Sequence, residues 1–373
     1  MSATPLFSIL IPTKNRASLL RSALESLRRQ TFLDFEVIVS DDHSADDTIQ
    51  VVESFRDERF RLVHPPTTLT MADHYDFVAS HARGEYINFL PDRSVMYSAA
   101  LASLAQIIEQ HKPPLIGWNN DRYDDARPEA RNFHQFSRSR RLVEYPSGAL
   151  LRLHYDFCLS AVNFSVASPA SSACHRSVVD KVKAAGGGRL VYPFIPDITY
   201  SVSVLAVTSS FLYYDGSLSV GAGYDVSVGA NLGRTREQGF KKLVGTAQAG
   251  VRTPCPGLLL NSNLVADDLL MVKEMYEGRL TGLELNHVHY FEKMVLDLMN
   301  IEIAGGDAGN SWDLFYAGLR QMPPALQTHI QNVVWTYRLK RQYPGIGRER
   351  IIHMRATPVL DAIAWAEANP VVA

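Results

Sequence analysis

The sequence predicts an α/β fold in which a mainly parallel, Rossmann-like sheet is flanked by helices and followed by a C-terminal helical subdomain. Strand-sized apolar segments alternate with amphipathic helical segments over residues 7–90. Repeated β-α units of this length are typical of parallel sheets with right-handed crossovers. From about Glu237 onward, the apolar residues recur with helical spacing and no internal repeat is found.

The N-terminal elements follow from apolar periodicity and from helix-start signals. The first predicted helix places Leu20, Leu24 and Leu27 on one face, whereas Arg21 and Arg28 face water. Asp46 belongs to an acidic cluster of the kind that begins helices, and this cluster precedes the second helix. The predicted elements are, in order, a strand FSILIP, a helix Arg16 to Gln30, a strand FEVIVS, a helix from about Asp46, a strand Phe60 to Val63, a helix Met71 to His81 and a strand Tyr86 to Leu90.

The later elements are less regular. A helix from Ser98 to His111 precedes the strand LIGW, and a long polar surface loop is expected between Asn119 and Ser147. A helix is predicted from Ser171 to Lys183, and the run FLYYDGSLSVGAGY predicts a strand and a glycine-rich loop. The expected domains are an N-terminal α/β half over residues 1–120, a second half of the same domain over 121–236 and the helical subdomain over 237–373.

Composition excludes several classes of protein. The chain has 373 residues, 46% hydrophobic and 20% charged, which is typical of a globular protein. Its net charge of −2, without a dense Lys/Arg run, gives no reason to expect general nucleic-acid binding. Three widely spaced cysteines suggest neither a disulfide framework nor a zinc site. With no signal-peptide pattern and no uninterrupted apolar span, a cytoplasmic protein without a transmembrane segment is expected.

Two common nucleotide-binding motifs are absent from the sequence, and acidic residues follow two of the predicted strands instead. No G-x-G-x-x-G or P-loop follows the first strand, which leads instead into Pro12-Thr13-Lys14-Asn15-Arg16. Asp41 and Asp42 follow the second strand, and Asp92 follows the fourth. Open parallel sheets bind ligands at the carboxyl ends of their strands, so these residues predict a ligand site.

Two segments make the pattern specific. The run FSILIPTKNRASLLRSALESLRRQTFLDFEVIVSDDHSADDT and the later ARGEYINFL resemble the opening and the D-x-D approach of family 2 glycosyltransferases, which have the GT-A fold. The resemblance is strong over residues 6–100, fair over 160–225 and absent beyond. It implies inverting transfer from a nucleotide sugar, with a UDP-sugar as the expected donor, to a glycan or small-molecule acceptor.

The resemblance also implies that residues 1–120 are the nucleotide-sugar-binding half-domain, with a nucleotide pocket, and that residues 121–236 are the acceptor-side half of the GT-A domain. The backbone of Pro12 and Thr13 and the carboxylate of Asp42 would meet the base, with Asp41 beside it and Arg16 near the phosphates. A carboxylate suits the N–H donors of a base edge. The competing interpretation of Asp41 and Asp42 is an ordinary turn and helix-entry cluster.

The loop Leu90-Pro91-Asp92-Arg93-Ser94 departs from the family pattern. The resemblance implies a D-x-D motif that binds Mg²⁺ or Mn²⁺ on the donor diphosphate, but here the second aspartate is missing. Three alternatives stay open: a divalent metal on Asp92 with Ser94 assisting through water, direct neutralisation of the diphosphate by Arg93, or loss of catalysis.

Asp197 is the candidate general base. It lies at the start of a predicted helix after a glycine-rich stretch, where the resemblance implies the catalytic aspartate. The competing interpretation is a first-turn aspartate that complements the helix dipole.

Two rival functions are carried with this hypothesis. The first is a catalytically inactive nucleotide-sugar or glycan-binding protein on the same fold. The second is a nucleotidyltransferase, which would need a glycine-rich loop after the first strand. The C-terminal helices are expected to shape the acceptor site or a homo-oligomer interface.

Overall fold

The described residues fold around one mixed sheet. A computed structural model describes residues 4–124, 132–134, 139–222, 250–276 and 278–342. Within them, ten strands form a single sheet. The strands are β1 (Phe7–Thr13), β2 (Phe35–Asp41), β3 (Phe60–Val63), β4 (Tyr86–Phe89), β5 (Ser94–Met96), β6 (Leu115–Asp124), β7 (Asn132–His134), β8 (Leu142–Pro146), β9 (Ser172–His175) and β10 (Ser210–Gly221).

Helices cover both faces of this sheet. Eleven α-helices lie within the described ranges. They are α1 (Ala17–Arg28), α2 (Thr48–Ser54), α3 (Met71–Ser80), α4 (Ala100–His111), α5 (Ser147–Tyr155), α6 (Arg176–Ala185), α7 (Pro196–Ala206), α8 (Asn261–Met275), α9 (His287–Ile303), α10 (Gly309–Leu319) and α11 (Pro324–Gln342). The predicted α/β sheet with flanking helices and a helical C-terminal part is confirmed.

The N-terminal half of the sheet is parallel, as expected from its β-α repeats. The order β3-β2-β1-β4 is parallel throughout, with Leu10 of β1 paired to Ile38 on one side and Phe89 on the other. The carboxyl ends of β1, β2 and β4 therefore lie along one edge of the sheet. This edge carries the predicted acidic residues.

The other half of the sheet is mixed. β9 runs antiparallel between β4 and β6, whereas β10 runs parallel to β6 and antiparallel to β5 and β8. Residues 172–175 thus form a strand where the sequence pattern predicted a helix, because β4 and β6 both offer main-chain partners there. Likewise, β8 lies in the segment expected to be a loop. The sequence did not predict this strand because it is formed by pairing with β10, which is remote in the chain.

The apolar core lies in two layers, one on each face of the sheet. α1, α2 and α4 cover one face, with Leu24, Val51 and Leu104 fully or almost fully buried. α3 and α5 to α11 cover the other face in one continuous cluster. The C-terminal helices share this second layer, and the hydroxyl of Tyr155 on α5 donates to the carbonyl of Leu269 on α8 over 2.8 Å. The proposed domain boundaries stay predictions, and residue 236 lies outside the described residues.

None of the described helices combines the length and the hydropathy that crossing a membrane requires.

Candidate functional site

The turn after β1 is fastened to the loop after β2. Asn15 adopts a left-handed backbone conformation with φ of 55°, which Asn tolerates better than most residues. Its backbone N–H donates to Ser44 Oγ, and its side-chain oxygen accepts from the N–H of Ala45, both over 2.7 Å. Asp46 accepts from the N–H of Ala17 over 2.9 Å and so satisfies a free donor at the start of α1. The two loops therefore form one rigid edge.

Asp41 and Asp42 are both buried at this edge and both are engaged. Asp42 forms an ion pair with Lys14 at 2.7 Å and accepts from the N–H of Leu69 over 3.0 Å. Asp41 accepts from the N–H of Ser44 at 3.3 Å and has His64 Nδ1 at 3.5 Å. The bonds of Asp41 are those of a turn, in line with the competing interpretation of that residue. The side chain of Lys14 is 43% exposed, so the partner of Asp42 is free to exchange for a ligand.

Asp92 lies buried between the end of β4 and the turn after β1. Thr13 Oγ1 donates to one of its oxygens over 2.9 Å, and Arg16 Nη1 donates to the other over 3.0 Å. Burial raises the pKa of the Asp92 carboxyl, while the charges of Arg16 and Arg93 and the bond from Thr13 oppose that rise. Thr13, Arg16 and Asp92, which were all predicted from the sequence, are thus brought together. Pro12 directly precedes Thr13 in β1.

Arg93 links the Asp92 loop to the end of β10. Its Nη1 donates to the carbonyl of Ala222 over 2.8 Å, and the N–H of Ala222 donates back to the Arg93 carbonyl over 3.2 Å. The pKa of both Asp92 and Asp197 is raised by loss of hydration, and the positive charge of Arg93 opposes each rise.

Asp197 is the second residue of α7, which begins with Pro196. The residue is exposed to solvent, although the atoms packed around its carboxyl reduce its hydration. This loss of hydration raises the pKa of the Asp197 carboxyl, and Arg93 opposes the rise. A carboxylate with a raised pKa is a stronger proton acceptor than an ordinary aspartate.

Tyr75 is the residue at this site that sequence reasoning missed. It lies on α3, which begins after Thr70, whose hydroxyl accepts from the N–H of Asp73 over 3.2 Å. The buried Tyr75 ring stacks on Phe89 with 4.8 Å between ring centroids. Burial raises the pKa of its hydroxyl, with further contributions from the charges of Asp197 and Asp92. On the sequence, an aromatic residue on an apolar helix face cannot be distinguished from a core residue.

Four elements therefore converge on one site at the carboxyl edge of the sheet. They are the turn after β1, the loop between β4 and β5, the helix α3 and the start of α7. The site combines two carboxyls, one buried phenol and two guanidinium groups. Such a set can bind an anionic ligand and accept a proton beside it.

The donor set at Asp92 does not fit a divalent cation held by protein side chains. Both Asp92 oxygens are already occupied by Thr13 and Arg16, and Ser94 replaces the second carboxylate. Within the described ranges, no group of three or more His, Cys, Asp or Glu side chains is arranged to hold a metal ion. A divalent metal at Asp92 stays a prediction.

Comparison with known proteins identifies related sequences for the N-terminal part. Residues 8–182 match the family described as "Glycosyl transferase family 2". The chain is 36% identical over 105 residues to a GalNAc(5)-diNAcBac-PP-undecaprenol beta-1,3-glucosyltransferase of Campylobacter jejuni subsp. jejuni, covering 27% of this chain and 34% of that protein. It is 36% identical over 115 residues to a PGL/p-HBAD biosynthesis glycosyltransferase of Mycobacterium bovis, covering 30% of this chain and 44% of that protein. The chain thus matches less than half the length of these two relatives.

A solved structure resembles a larger part of the chain. The crystal structure of S. aureus TarS 1-349 in complex with UDP-GlcNAc superposes with a TM-score of 0.53 and covers 89% of this chain and 91% of that one. The sequence identity is 16%, so this likeness concerns the fold alone.

Proposed function

Since residues 8–182 belong to glycosyl transferase family 2, we propose that this chain transfers a sugar from a nucleotide-sugar donor to an acceptor hydroxyl group. The observation that carries the proposal is the cluster at the end of β4, where buried Asp92 binds Thr13 and Arg16 and the adjacent Arg93, held by Ala222, opposes the raised pKa of Asp197. A family match alone would not distinguish a transferase from an inactive relative.

The nucleotide binds along the turn after β1. The backbone of Pro12 and Thr13 and the carboxylate of Asp42 contact the base, and the exposed Lys14 side chain moves aside or turns toward the phosphates. Asp41 supports the turn that presents Asp42. A UDP-sugar is the first donor to test, since the TarS structure of similar fold contains UDP-GlcNAc.

The diphosphate is neutralised by guanidinium groups rather than by a protein-held metal. Arg16 is held toward the site by Asp92, and Arg93 is held by the carbonyl of Ala222. Guanidinium groups match phosphate oxygens in geometry and stay charged at any physiological pH. Charge develops on the departing nucleotide in the transition state, so fixed cations at this position accelerate the reaction.

Asp197 is the general base of a single displacement. The acceptor oxygen forms a bond to the anomeric carbon as the bond from that carbon to the diphosphate oxygen breaks. The acceptor proton passes to the Asp197 carboxylate, and the nucleoside diphosphate leaves with the electron pair. Attack from the face opposite the leaving group inverts the configuration at the anomeric carbon.

The acceptor site is proposed to lie on the side of Asp197 that faces the C-terminal helices. α8 packs against α7 in the second core layer, so the helical part is adjacent to the base. A glycan or another small hydroxyl-bearing molecule is the expected acceptor. A homo-oligomer through these helices stays a proposal of the same kind.

The test is turnover of a donor panel. The purified chain is incubated with UDP-, GDP-, dTDP- and CDP-sugars, and both the thermal shift and the released nucleoside diphosphate are measured. We expect one donor class to stabilise the protein and to release nucleotide slowly by hydrolysis, even without an acceptor. Stabilisation without any release would favour the inactive binding protein, and no response to any donor would refute the nucleotide-sugar hypothesis.

A further inference from the structure

A fully buried carboxyl on α8 lies directly behind the turn that carries the proposed base. Asp268 Oδ2 accepts from the backbone N–H of Ile195 over 2.8 Å, although 73 residues separate the two in the chain. Its other oxygen, Oδ1, is buried and has no hydrogen-bond partner among the described residues. Asp268 lies in the middle of α8, away from the first turn where an aspartate caps a helix, and its hydrogen bond is to the turn before α7.

The turn that Asp268 holds has an unfavourable backbone conformation. Phe194 adopts φ of 83°, in the left-handed region where residues with a Cβ are disfavoured, and its side chain is buried. Ile195 then serves as the N-cap residue of α7 but provides no side-chain cap. A backbone of this kind persists only when surrounding contacts hold it.

The hydrogen bond to Asp268 is one of several that hold residues 190–195 in place. The N–H of Tyr192 donates to Thr199 Oγ1 on α7 over 3.1 Å, and the N–H of Leu190 donates to Asp76 on α3 over 2.7 Å. These bonds hold the segment before Phe194. The bond from Ile195 to Asp268 ties the start of α7 to α8.

We propose that Asp268 is a positioning residue for the glycosyl transfer: by holding the Phe194–Ile195 turn, it sets the direction in which Asp197 faces the site. This inference rests on the proposed function, because it takes Asp197 as the general base. Without the bond, Phe194 relaxes toward a favoured conformation, the first turn of α7 shifts, and the Asp197 carboxylate moves away from the acceptor. A displacement of about 1 Å in a reacting group is enough to lower a rate strongly.

Asparagine is the conservative replacement for Asp268. Burial raises the pKa of the Asp268 carboxyl, and the neighbouring Asp267 raises it further, while the Ile195 N–H and Arg252 oppose the rise. The bond from Ile195 needs only one acceptor oxygen at this position. Asparagine has the same shape and keeps that acceptor oxygen, so Asp268→Asn preserves the bond, whereas Asp268→Ala removes it.

The matched control is Asp297 on α9. Its carboxyl is partly buried and also accepts a backbone N–H, that of Ser262, over 2.9 Å at the start of α8, together with the Ser262 hydroxyl over 2.5 Å. Asp297→Ala therefore removes a comparable bond without touching the turn before α7. We expect it to lower stability and to leave kcat within about 2-fold of wild type.

The kinetic test compares kcat and donor KM at a temperature at which every variant is folded. Asp268→Ala is expected to lower kcat by about 10-fold or more with donor KM within about 3-fold, and Asp268→Asn to stay within about 3-fold of wild type in both. In Asp268→Ala, the acidic limb of the kcat profile should also move to lower pH, because a displaced Asp197 is better hydrated. Equal kcat in wild type and Asp268→Ala, or equal losses in Asp268→Ala and Asp268→Asn, would overturn the inference.

A second measurement separates this inference from the proposed function. Amide hydrogen exchange of a peptide covering residues 190–200 should be about 10-fold faster or more at Ile195 in Asp268→Ala and unchanged in Asp297→Ala. If the wild type turns over no donor, the proposed function fails, and the exchange rates still decide whether Asp268 holds the turn. Should the alanine variant not fold, Asp268→Leu fills the same volume without an acceptor, and unchanged exchange at Ile195 in that variant would refute the role.

Discussion

Arg16 and Asp92 form an ion pair between two loops that are 76 residues apart in the chain, with 3.0 Å between Nη1 and Oδ1. The carboxyl is buried, whereas the arginine side chain keeps 24% of its surface exposed. The protein thus places its own cation against the carboxylate at which the family pattern implied a metal. A guanidinium held in this way is preorganised to receive a diphosphate.

Replacing Asp197 by asparagine should abolish turnover but preserve donor binding. The amide keeps the shape of the side chain but does not accept the acceptor proton, so we expect kcat to fall by roughly 100- to 10,000-fold with little change in donor Kd. Released nucleotide and the thermal shift measure the two effects. Asp180→Asn on the exposed surface of α6 is the control. Unchanged kcat in Asp197→Asn would remove Asp197 from its proposed role.

The pH dependence of kcat should reflect the environment of Asp197. Its pKa is raised by the loss of hydration around the carboxyl, and the base acts only when deprotonated, so kcat falls as pH drops through a value above that of an ordinary aspartate. Arg93 lowers this pKa, so Arg93→Ala should move the acidic limb to higher pH. A pH series of nucleotide release measures the acidic limb of the wild type and that of Arg93→Ala. A limb at the ordinary aspartate value in wild type would contradict this assignment.

Activity should depend on Arg93 and should survive removal of divalent metal ions by a chelator. If guanidinium groups neutralise the diphosphate, EDTA leaves activity within about 2-fold, while Arg93→Ala lowers kcat/KM by about 100-fold or more and Arg93→Lys by less. Arg28→Ala, on the exposed face of α1, is the matched control and should behave like wild type. Activity that EDTA removes and Mn²⁺ restores would instead establish a metal at this site.

Tyr75→Phe should lower kcat without disturbing the core. Phenylalanine keeps the stacking on Phe89 and removes only the hydroxyl that lies among the charges of Asp92, Asp197 and Arg93. We expect a loss of about 10-fold in kcat and a small change in Tm. The control is Tyr86→Phe, which removes a buried hydroxyl that donates to the carbonyl of Pro113 over 2.9 Å and should cost stability alone. Equal kcat for Tyr75→Phe and wild type would assign Tyr75 to packing.

The N-terminal strands and helices were predictable because their signals are local. The stripe of Leu20, Leu24 and Leu27 predicted α1 and its buried face, and the apolar segment FEVIVS predicted β2. Strand β9 was not predictable in this way. Ser172 to His175 carries no strong strand pattern, and it is extended because β4 and β6 leave a gap with main-chain donors and acceptors on both sides.

The candidate site was predictable to the extent that it follows the ends of strands. Asp42, Asp92 and Arg16 follow β2, β4 and β1, and parallel pairing brings such positions together. Asp268 gave no comparable signal, because an aspartate within an apolar helical pattern predicts nothing about a partner 73 residues away.

By itself, the sequence determined the parallel half of the sheet, the resemblance to a family and the residues at the strand ends, since periodicity and ordered motifs depend on neighbours in the chain. Only the tertiary structure decided how those residues are paired: that Arg16 and Thr13 occupy both oxygens of Asp92, that Arg93 is held by Ala222, and that α8 holds the turn before Asp197. The reason is physical. Burial and hydrogen bonding between remote segments set the charge and direction of a side chain, and neither is encoded at the position of that residue alone.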